Sequence, residues 1–329
     1  MLKALVNLAA AKCGYELRRI RSAQASDPRT LAKARSTIER FREVVSDPLN
    51  LLIARVPQAG YVDAGGCVIL HNGNRVPRSG PYAYYGEFSD LLVINRGVHE
   101  PLEEFCFQTL LARLAGAAPA MLELGAYWAH YSMWLQHRFP GAQCWMVEPD
   151  RVNLRCGRNN FELNDCRGEF IHAAVGPADF GVDRFLAARG IAQLDILHAD
   201  IQGHELEMLR DAAQALAARR VAYAFVSTHS EELHTQVVAQ LRAHGYRVEV
   251  SSPPDTHTTS SDGFVLASSP ATAPVFDGFE PLGRLQIAQA SPPQLLHALS
   301  AGAAAAGAPV QAAAAGTGRK PAGAGAPPR

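Results

Sequence analysis

From about residue 100 to residue 268, short continuous apolar runs alternate with segments in which apolar residues recur at helical spacing. Met121, Leu122 and Leu124 form a run that stops at Gly125, and the spacing over about 129–139 predicts a helix immediately after it. A second run at 144–147 ends in Glu148, and a helix is expected over 153–163. Further strands are expected at 169–175, 194–199 and 221–226, and a closing pair at 247–250 and 263–267. Helices are expected to begin near Val182, to span about 205–217 and to span 231–244. Strands apolar throughout must be buried on both faces, and the interleaved amphipathic helices supply the cover. This pattern predicts an α/β fold with a doubly wound, Rossmann-like sheet over residues 99–270.

Outside that region the texture changes. Residues 2–22 place Leu2, Leu5, Val6, Ala9, Cys13, Leu17 and Ile20 near helical spacing with basic residues around them, which predicts a helix packed on the main domain or resting weakly on a membrane surface. Asp27 and Pro28 cap a second helix whose apolar positions are Leu31, Ala34, Ile38, Phe41 and Val45, and which stops before Pro48. Apolar runs at 68–71 and 75–76 flank Asn72-Gly73-Asn74, a hairpin signature, and 91–94 reads as another strand. Tyr82, Tyr84, Tyr85 and Phe88 are expected to close a small hydrophobic face, and a helix over 102–114 leads into the main domain. Residues 1–98 thus form N-terminal helices with a small β extension. Residues 271–329 read as a linker and an Ala/Gly/Pro-rich tail, expected to be disordered because so few large apolar groups are present.

Composition narrows the functional classes. The chain is 48% apolar, enough for a substantial core, and Lys+Arg and Asp+Glu each number 31, so no net field draws it to nucleic acid. The 6 cysteines show no C-x-x-C spacing and read as reduced thiols of a cytoplasmic protein. Neither a secretory signal nor a run long enough to span a bilayer is expected.

The chemistry concentrates at the carboxyl ends of the predicted strands, where an open α/β sheet binds its ligands. Gly125 would let the backbone approach a ligand, and Glu148, at the tip of the second strand, would accept hydrogen bonds from ribose hydroxyls. The loop Glu123-Leu124-Gly125-Ala126-Tyr127-Trp128-Ala129 has one glycine where a pyrophosphate cradle wants G-x-G-x-x-G. A nucleoside donor without phosphates is therefore favoured over NAD, which points to S-adenosylmethionine. Glu123, Gly125, Ala126 and Tyr127, with Glu148 and Ala174 at the next strand tips, form the expected cofactor face. Asp200, after the strand at 194–199, is expected to face the reacting group. His229, after the strand at 221–226, is the histidine best placed to act as general base. Asp200, His204 and His229 together would offer mixed ligands to a divalent ion, but His204 is expected on the outer face of its helix and no metal is assigned.

Over about residues 100–267 the chain resembles the FkbM-type methyltransferases, a class I S-adenosylmethionine-dependent family. The motifs that carry the resemblance are Glu123-x-Gly125-Ala126, Glu148-Pro149, Asn159-Asn160 and Asp200-Ile201-Gln202-Gly203-His204-Glu205. The last, in the family's D-x-[EQ]-G-x-E form, is the most specific. The family usually has Asp at the position of Glu123, and G-A-N-x-G where this chain has Gly125-Ala126-Tyr127-Trp128-Ala129; the link from Val175 to Asp183 is also shorter than usual. The resemblance implies transfer of a methyl group to a hydroxyl of a sugar, glycan or secondary metabolite. The alternative is a non-catalytic module of the same fold that acts as a binding or scaffold partner.

Overall fold

The computed structural model describes residues 36–84, 88–116 and 118–307. The basic amphipathic helix expected over residues 2–22 lies outside them, as do Leu31 and Ala34 of the second helix and residues 308–329 of the tail. The second helix is present from Thr37 as α1 (Thr37–Ser46), with Val44 as its buried residue. Ile38 and Val45, expected on its apolar face, are 56% and 43% exposed. Asp47 ends it by accepting the Leu49 N–H at 2.8 Å and starting a 3₁₀ turn over Pro48–Leu51.

The predicted hairpin forms as β1 (Cys67–Ile69) and β2 (Arg75–Pro77), antiparallel with Val68 opposite Val76. Gly73 supplies the positive φ of 93° in its turn. Residues 91–94, read as a strand, are instead the end of α2 (Phe88–Ile94). An apolar run that short does not show a period that separates strand from helix. Next, α3 (Pro101–Arg113) is buried along most of its length.

Seven strands make the main sheet: β3 (Ala120–Leu124), β4 (Gln143–Val147), β5 (Glu169–Ile171), β6 (Leu194–Ala199), β7 (Val221–Thr228), β8 (Arg247–Ser252) and β9 (Gly263–Ser268). Their spatial order is β5-β4-β3-β6-β7-β9-β8, with β9 antiparallel to both neighbours and every other pair parallel. The helices between them are α4 (His130–Arg138), α5 (Arg151–Leu163), α6 (Val182–Arg189), α7 (Glu205–Asp211), α8 (Ala213–Ala217) and α9 (Glu231–Ala243). This is the doubly wound α/β sheet that the alternating pattern predicts. The strand expected over 169–175 stops at Ile171, because β4 offers a ladder only from Trp145 to Val147.

Adjacent residues of the strands enter opposite cores. Met121, Met146, Ile196 and Phe225 join one cluster, while Leu122, Leu124, Val147, Leu197 and Val226 join the other. The first cluster also takes in Leu49, Val68, Leu70, Val76 and Leu92, so the segment before the sheet shares the sheet's own core. No helix among the described residues is long and apolar enough to cross a membrane.

The stretch after the sheet departs from the expected linker and disordered tail. Val275, Phe276 and Phe279 are buried, and Phe276 and Phe279 ring-pack with Phe105 of α3. Two helices follow, α10 (Arg284–Gln289) and α11 (Pro292–Ala306). Ser291 and Gln294 form a capping box on α11, Pro292 occupies its first turn, and alanine has the best helix propensity. Gly302 lets the helix approach Leu52, which would lie 3.1 Å from a Cβ at that position, and Arg113 donates to the Ala305 carbonyl at 3.1 Å. Small residues thus serve close packing here rather than disorder.

Candidate functional site

Strand register decides where the site lies. Leu124 pairs with Val147 on one side and Ala199 on the other, so the next residues Gly125, Glu148 and Asp200 stand level at the carboxyl edge. Ala199 in turn pairs with Val226, which brings Ser227 to the same edge. These tips rim a cavity of about 620 Å³, within the size range of small-molecule sites. Arg40, Phe41 and Val44 of α1 also line it, with Trp128, Asn153, His198 and Asp262.

All six expected cofactor residues, Glu123, Gly125, Ala126, Tyr127, Glu148 and Ala174, line this one cavity. Gly125 has φ +72°, and a Cβ there would lie 1.7 Å from the Asp200 carbonyl oxygen. The loop therefore crosses β6 at a distance only glycine allows. Tyr127 (φ 39°) and Ala129 (φ 59°) are also left-handed, a conformation that costs a non-glycine residue about 1–2 kcal/mol. The loop is held from three sides. Gly125 and Ala126 donate their N–H groups to the Val147 carbonyl, Tyr127 N–H donates to Glu148 at 3.1 Å, and Asn160 donates to the Trp128 carbonyl at 3.1 Å.

Glu148 is 5% exposed and accepts from the Tyr127 and Asp150 N–H groups, one at each oxygen. Burial raises its pKa above the usual carboxylate range, against the lowering effect of those two backbone donors. With the Asn153 side chain as a third donor, the carboxylate keeps acceptor capacity for a ligand hydroxyl. Glu123 is buried more deeply and accepts the Ser132 N–H at 3.2 Å, tying β3 to the first turn of α4; burial raises its pKa as well.

Asp200 lines the cavity and meets His229, as their strand positions predict. His229 Nε2 lies 3.1 Å from Asp200 and 3.6 Å from Asp262, and its Nδ1 lies 2.9 Å from Glu205. Burial favours the neutral ring, but the Asp200 and Glu205 carboxylates, with Asp262, overcome it and push the pKa up to about 10. The ring is then an imidazolium at neutral pH and has no lone pair with which to take a proton. A role for His229 as general base does not fit this surrounding; its charge instead holds three carboxylates together. His204 faces Glu207 on the exposed side, 3.2 Å away, so it does not converge with Asp200 and His229.

Three participants were given no role from the sequence. Asp262 precedes β9, lines the cavity, and has its pKa raised to about 7 by burial and by the neighbouring Asp200 charge. Glu205, fully buried, accepts the Ile201 and Gly203 N–H groups and so closes the turn around Gln202 and Gly203. Behind these, Glu103 of α3 lies 2.6 Å from His198 and accepts from Ser227 at 3.3 Å. The D-x-[EQ]-G-x-E spacing was a usable signal for Glu205, whereas Asp262 lies in a polar loop that the periodicity does not single out.

The geometry fits S-adenosylmethionine in three respects: a carboxylate at the tip of β4, a glycine crossing at the tip of β3, and a cavity between them of suitable size. Comparison with known proteins finds a match of residues 180–248 to the Methyltransferase FkbM domain model, a span that runs from just before α6 into β8. No curated protein matches the sequence. Among solved structures, similarity is found to a precorrin-6y C5,15-methyltransferase from Geobacter metallireducens, at 15% identity and TM-score 0.37 over 51% of this chain and 86% of that one. TrmK of M. capricolum, bound to S-adenosyl-homocysteine, gives 14% identity and TM-score 0.36 over 55% of this chain and 74% of that one. The ribosomal protein L11 methylase from Lactobacillus delbrueckii subsp. bulgaricus gives 9% identity and TM-score 0.37 over 50% and 77%. The family match falls on the part of the sheet that carries Asp200, Glu205 and His229.

Proposed function

We propose that this protein is an S-adenosylmethionine-dependent methyltransferase that methylates a hydroxyl of a sugar, glycan or secondary metabolite. The observation that carries the reading is the level placement of Gly125, Glu148 and Asp200 on one cavity, with Asp262 facing them. When bound, S-adenosylmethionine supplies an electrophilic methyl group on a sulfonium. Glu148 would hold the ribose hydroxyls, and the loop from Gly125 to Ala129 would hold the remainder of the donor. A hydroxyl acceptor must lose its proton as it reacts, and Asp262 is the group suited to take it. Its pKa of about 7 leaves a large ionised fraction at neutral pH while keeping it basic enough to accept a proton. His229, 3.6 Å away, balances the charge of that carboxylate, the Asp200 charge keeps it basic, and Phe41 and Val44 of α1 line the same cavity.

Calorimetric titration tests the reading. The unmutated protein should bind S-adenosylmethionine or S-adenosylhomocysteine, and Glu148→Ala should bind at least tenfold more weakly, since hydrogen bonds to a charged group contribute about 1.5–3 kcal/mol each. With an acceptor in hand, Asp262→Asn should lower kcat by about 10²–10⁴ with donor affinity nearly unchanged. Absence of donor binding by the unmutated protein would instead favour a non-catalytic binding module.

A further inference from the structure

A second cluster of titratable side chains lies apart from the strand tips, where the hairpin, α3 and the start of α4 meet. Glu104 of α3 is fully buried, and His71, which follows β1, and His130, the first residue of α4, are each 1% exposed. One ligand atom from each of the three lies within 4.8 Å of the others. His71 Nε2 and Glu104 Oε2 are 2.9 Å apart, and His130 Nε2 is 4.0 Å from Glu104 Oε1. The His71–Glu104 contact is close enough for an ion pair, whereas His130 stands too far from Glu104 for a hydrogen bond. Both ring nitrogens of His71, both of His130 and Oε2 of Glu104 are buried without a hydrogen-bond partner. Buried polar atoms are nearly always paired, and because one ligand atom from each of the three residues converges here, a single shared ion would satisfy them together.

We propose that His71, Glu104 and His130 bind a buried divalent transition-metal ion of the zinc class. Metal–nitrogen and metal–oxygen distances of about 2.0–2.2 Å place the ligand atoms of a tetrahedral site roughly 3.3 Å from one another without any bond between them. The ligand atoms lie within 4.8 Å of one another, with His71 Nε2 and Glu104 Oε2 at 2.9 Å, so side-chain shifts on the order of 1–2 Å would close the set around an ion. Imidazole with carboxylate is a donor set for zinc and its neighbours rather than for magnesium or calcium. Glu104 is held for the purpose: its Oε1 accepts the N–H groups of His99 at 2.8 Å and Glu100 at 3.1 Å, and His99 Nδ1 lies 2.5 Å away. A ligating carboxylate fixed by neighbours in this way keeps its other oxygen directed at the ion. Trp128 stacks on the His130 ring at 4.8 Å and 11°, which fixes the imidazole plane. Since His130 also lines the cavity, a water from that side could complete the coordination. The ion would join three segments far apart in the chain and fix the hairpin to the helix that follows the Gly125–Ala129 loop.

The full-length chain tests this directly. After removal of metal with a chelator and dialysis, Zn(II) should bind with one-to-one stoichiometry and raise the melting temperature, and Co(II) should develop the visible absorption of a low-symmetry site. His71→Ala and His130→Ala, confirmed as folded by circular dichroism, should each weaken Zn(II) binding at least about tenfold to a hundredfold, while His229→Ala should leave it unchanged. If the metal-free protein shows neither a Zn(II)-dependent rise in melting temperature nor a Co(II) spectrum, the proposal fails, and that result does not depend on any variant folding. Unaltered binding by a folded His71→Ala/His130→Ala double variant would also overturn it, and loss of binding in His229→Ala alone would move the ion to the strand tips.

Discussion

Replacing Gly125 by alanine separates two reasons a glycine can be required. Its φ of +72° would cost an alanine about 1–2 kcal/mol, and the added Cβ would lie 1.7 Å from the Asp200 carbonyl oxygen, a contact that cannot exist. The neighbour is backbone at the end of a buried strand, so no side-chain rotation relieves it. The tips must part, which breaks or stretches the bonds that close them: Asp200 N–H to the Leu124 carbonyl at 2.9 Å, and Gly125 and Ala126 N–H to the Val147 carbonyl at 2.9 and 3.0 Å. At about 1 kcal/mol each these contribute roughly 3 kcal/mol, while the stiffer unfolded chain returns about 0.4–1 kcal/mol. The expected loss is about 3–5 kcal/mol by urea unfolding, together with loss of donor binding. Gly203 is the control: its φ is +104° and a Cβ there meets nothing within 4 Å, so Gly203→Ala should cost only about 1 kcal/mol. Equal losses in the two variants would refute the close crossing of β3 and β6 as the reason for Gly125.

Two further outcomes follow from the site and the C-terminal segment. His229 has a folded pKa of about 10, above the unfolded value of about 6.5, so its ion pairs contribute fully below pH ~6.5 and are lost as pH rises through 10. Urea unfolding between pH 7 and 10 should therefore show stability falling by up to about 1.4 kcal/mol per pH unit more in the wild type than in His229→Gln; parallel curves would exclude the imidazolium assignment. Ending the chain after Ser300 removes the packing of Gly302 on Leu49, Leu52 and Phe279 and the Arg113 bond to Ala305, and should lower Tm by a few degrees, whereas ending it after Gly307 should not.

The fold was legible because strand burial leaves a strong trace. The central strands β3, β4, β6 and β7 are mostly apolar and largely buried, and their tips follow from where each run stops. Where the sequence reading differs from the structure, local composition was read without its tertiary partner. Residues 91–94 are helical because Leu91 and Leu92 pack inward on one side of α2 while Ile94 stays 60% exposed, a distinction seven residues are too few to display. The alanines of 301–306 looked unable to build a core, yet their helix packs closely because it presents so little side chain to the Leu49 and Leu52 surface.

The site was legible in its backbone and less so in its charges. Gly125, Glu148 and Asp200 are fixed by register, which a sequence with clear strand ends conveys. A protonation state depends on the charges gathered around a group, and His229 is set by Asp200, Glu205 and Asp262, which approach from separate elements. The altered loop illustrates the same division. In the usual family pattern asparagine and glycine occupy the positions of Tyr127 and Ala129, and both of these residues are held here at positive φ, where asparagine and glycine are the least strained choices. The loop thus holds left-handed conformations at Tyr127 and Ala129 without the residues that adopt them most easily. What maintains it is visible around the loop: Glu148 accepts the Tyr127 N–H, Asn160 holds the Trp128 carbonyl, and Trp128 packs between Tyr84 and His130 at ring distances of 4.4 and 4.8 Å. Those contacts offset a local strain of about 1–2 kcal/mol per residue, so the changed motif by itself does not argue for a lost ligand site.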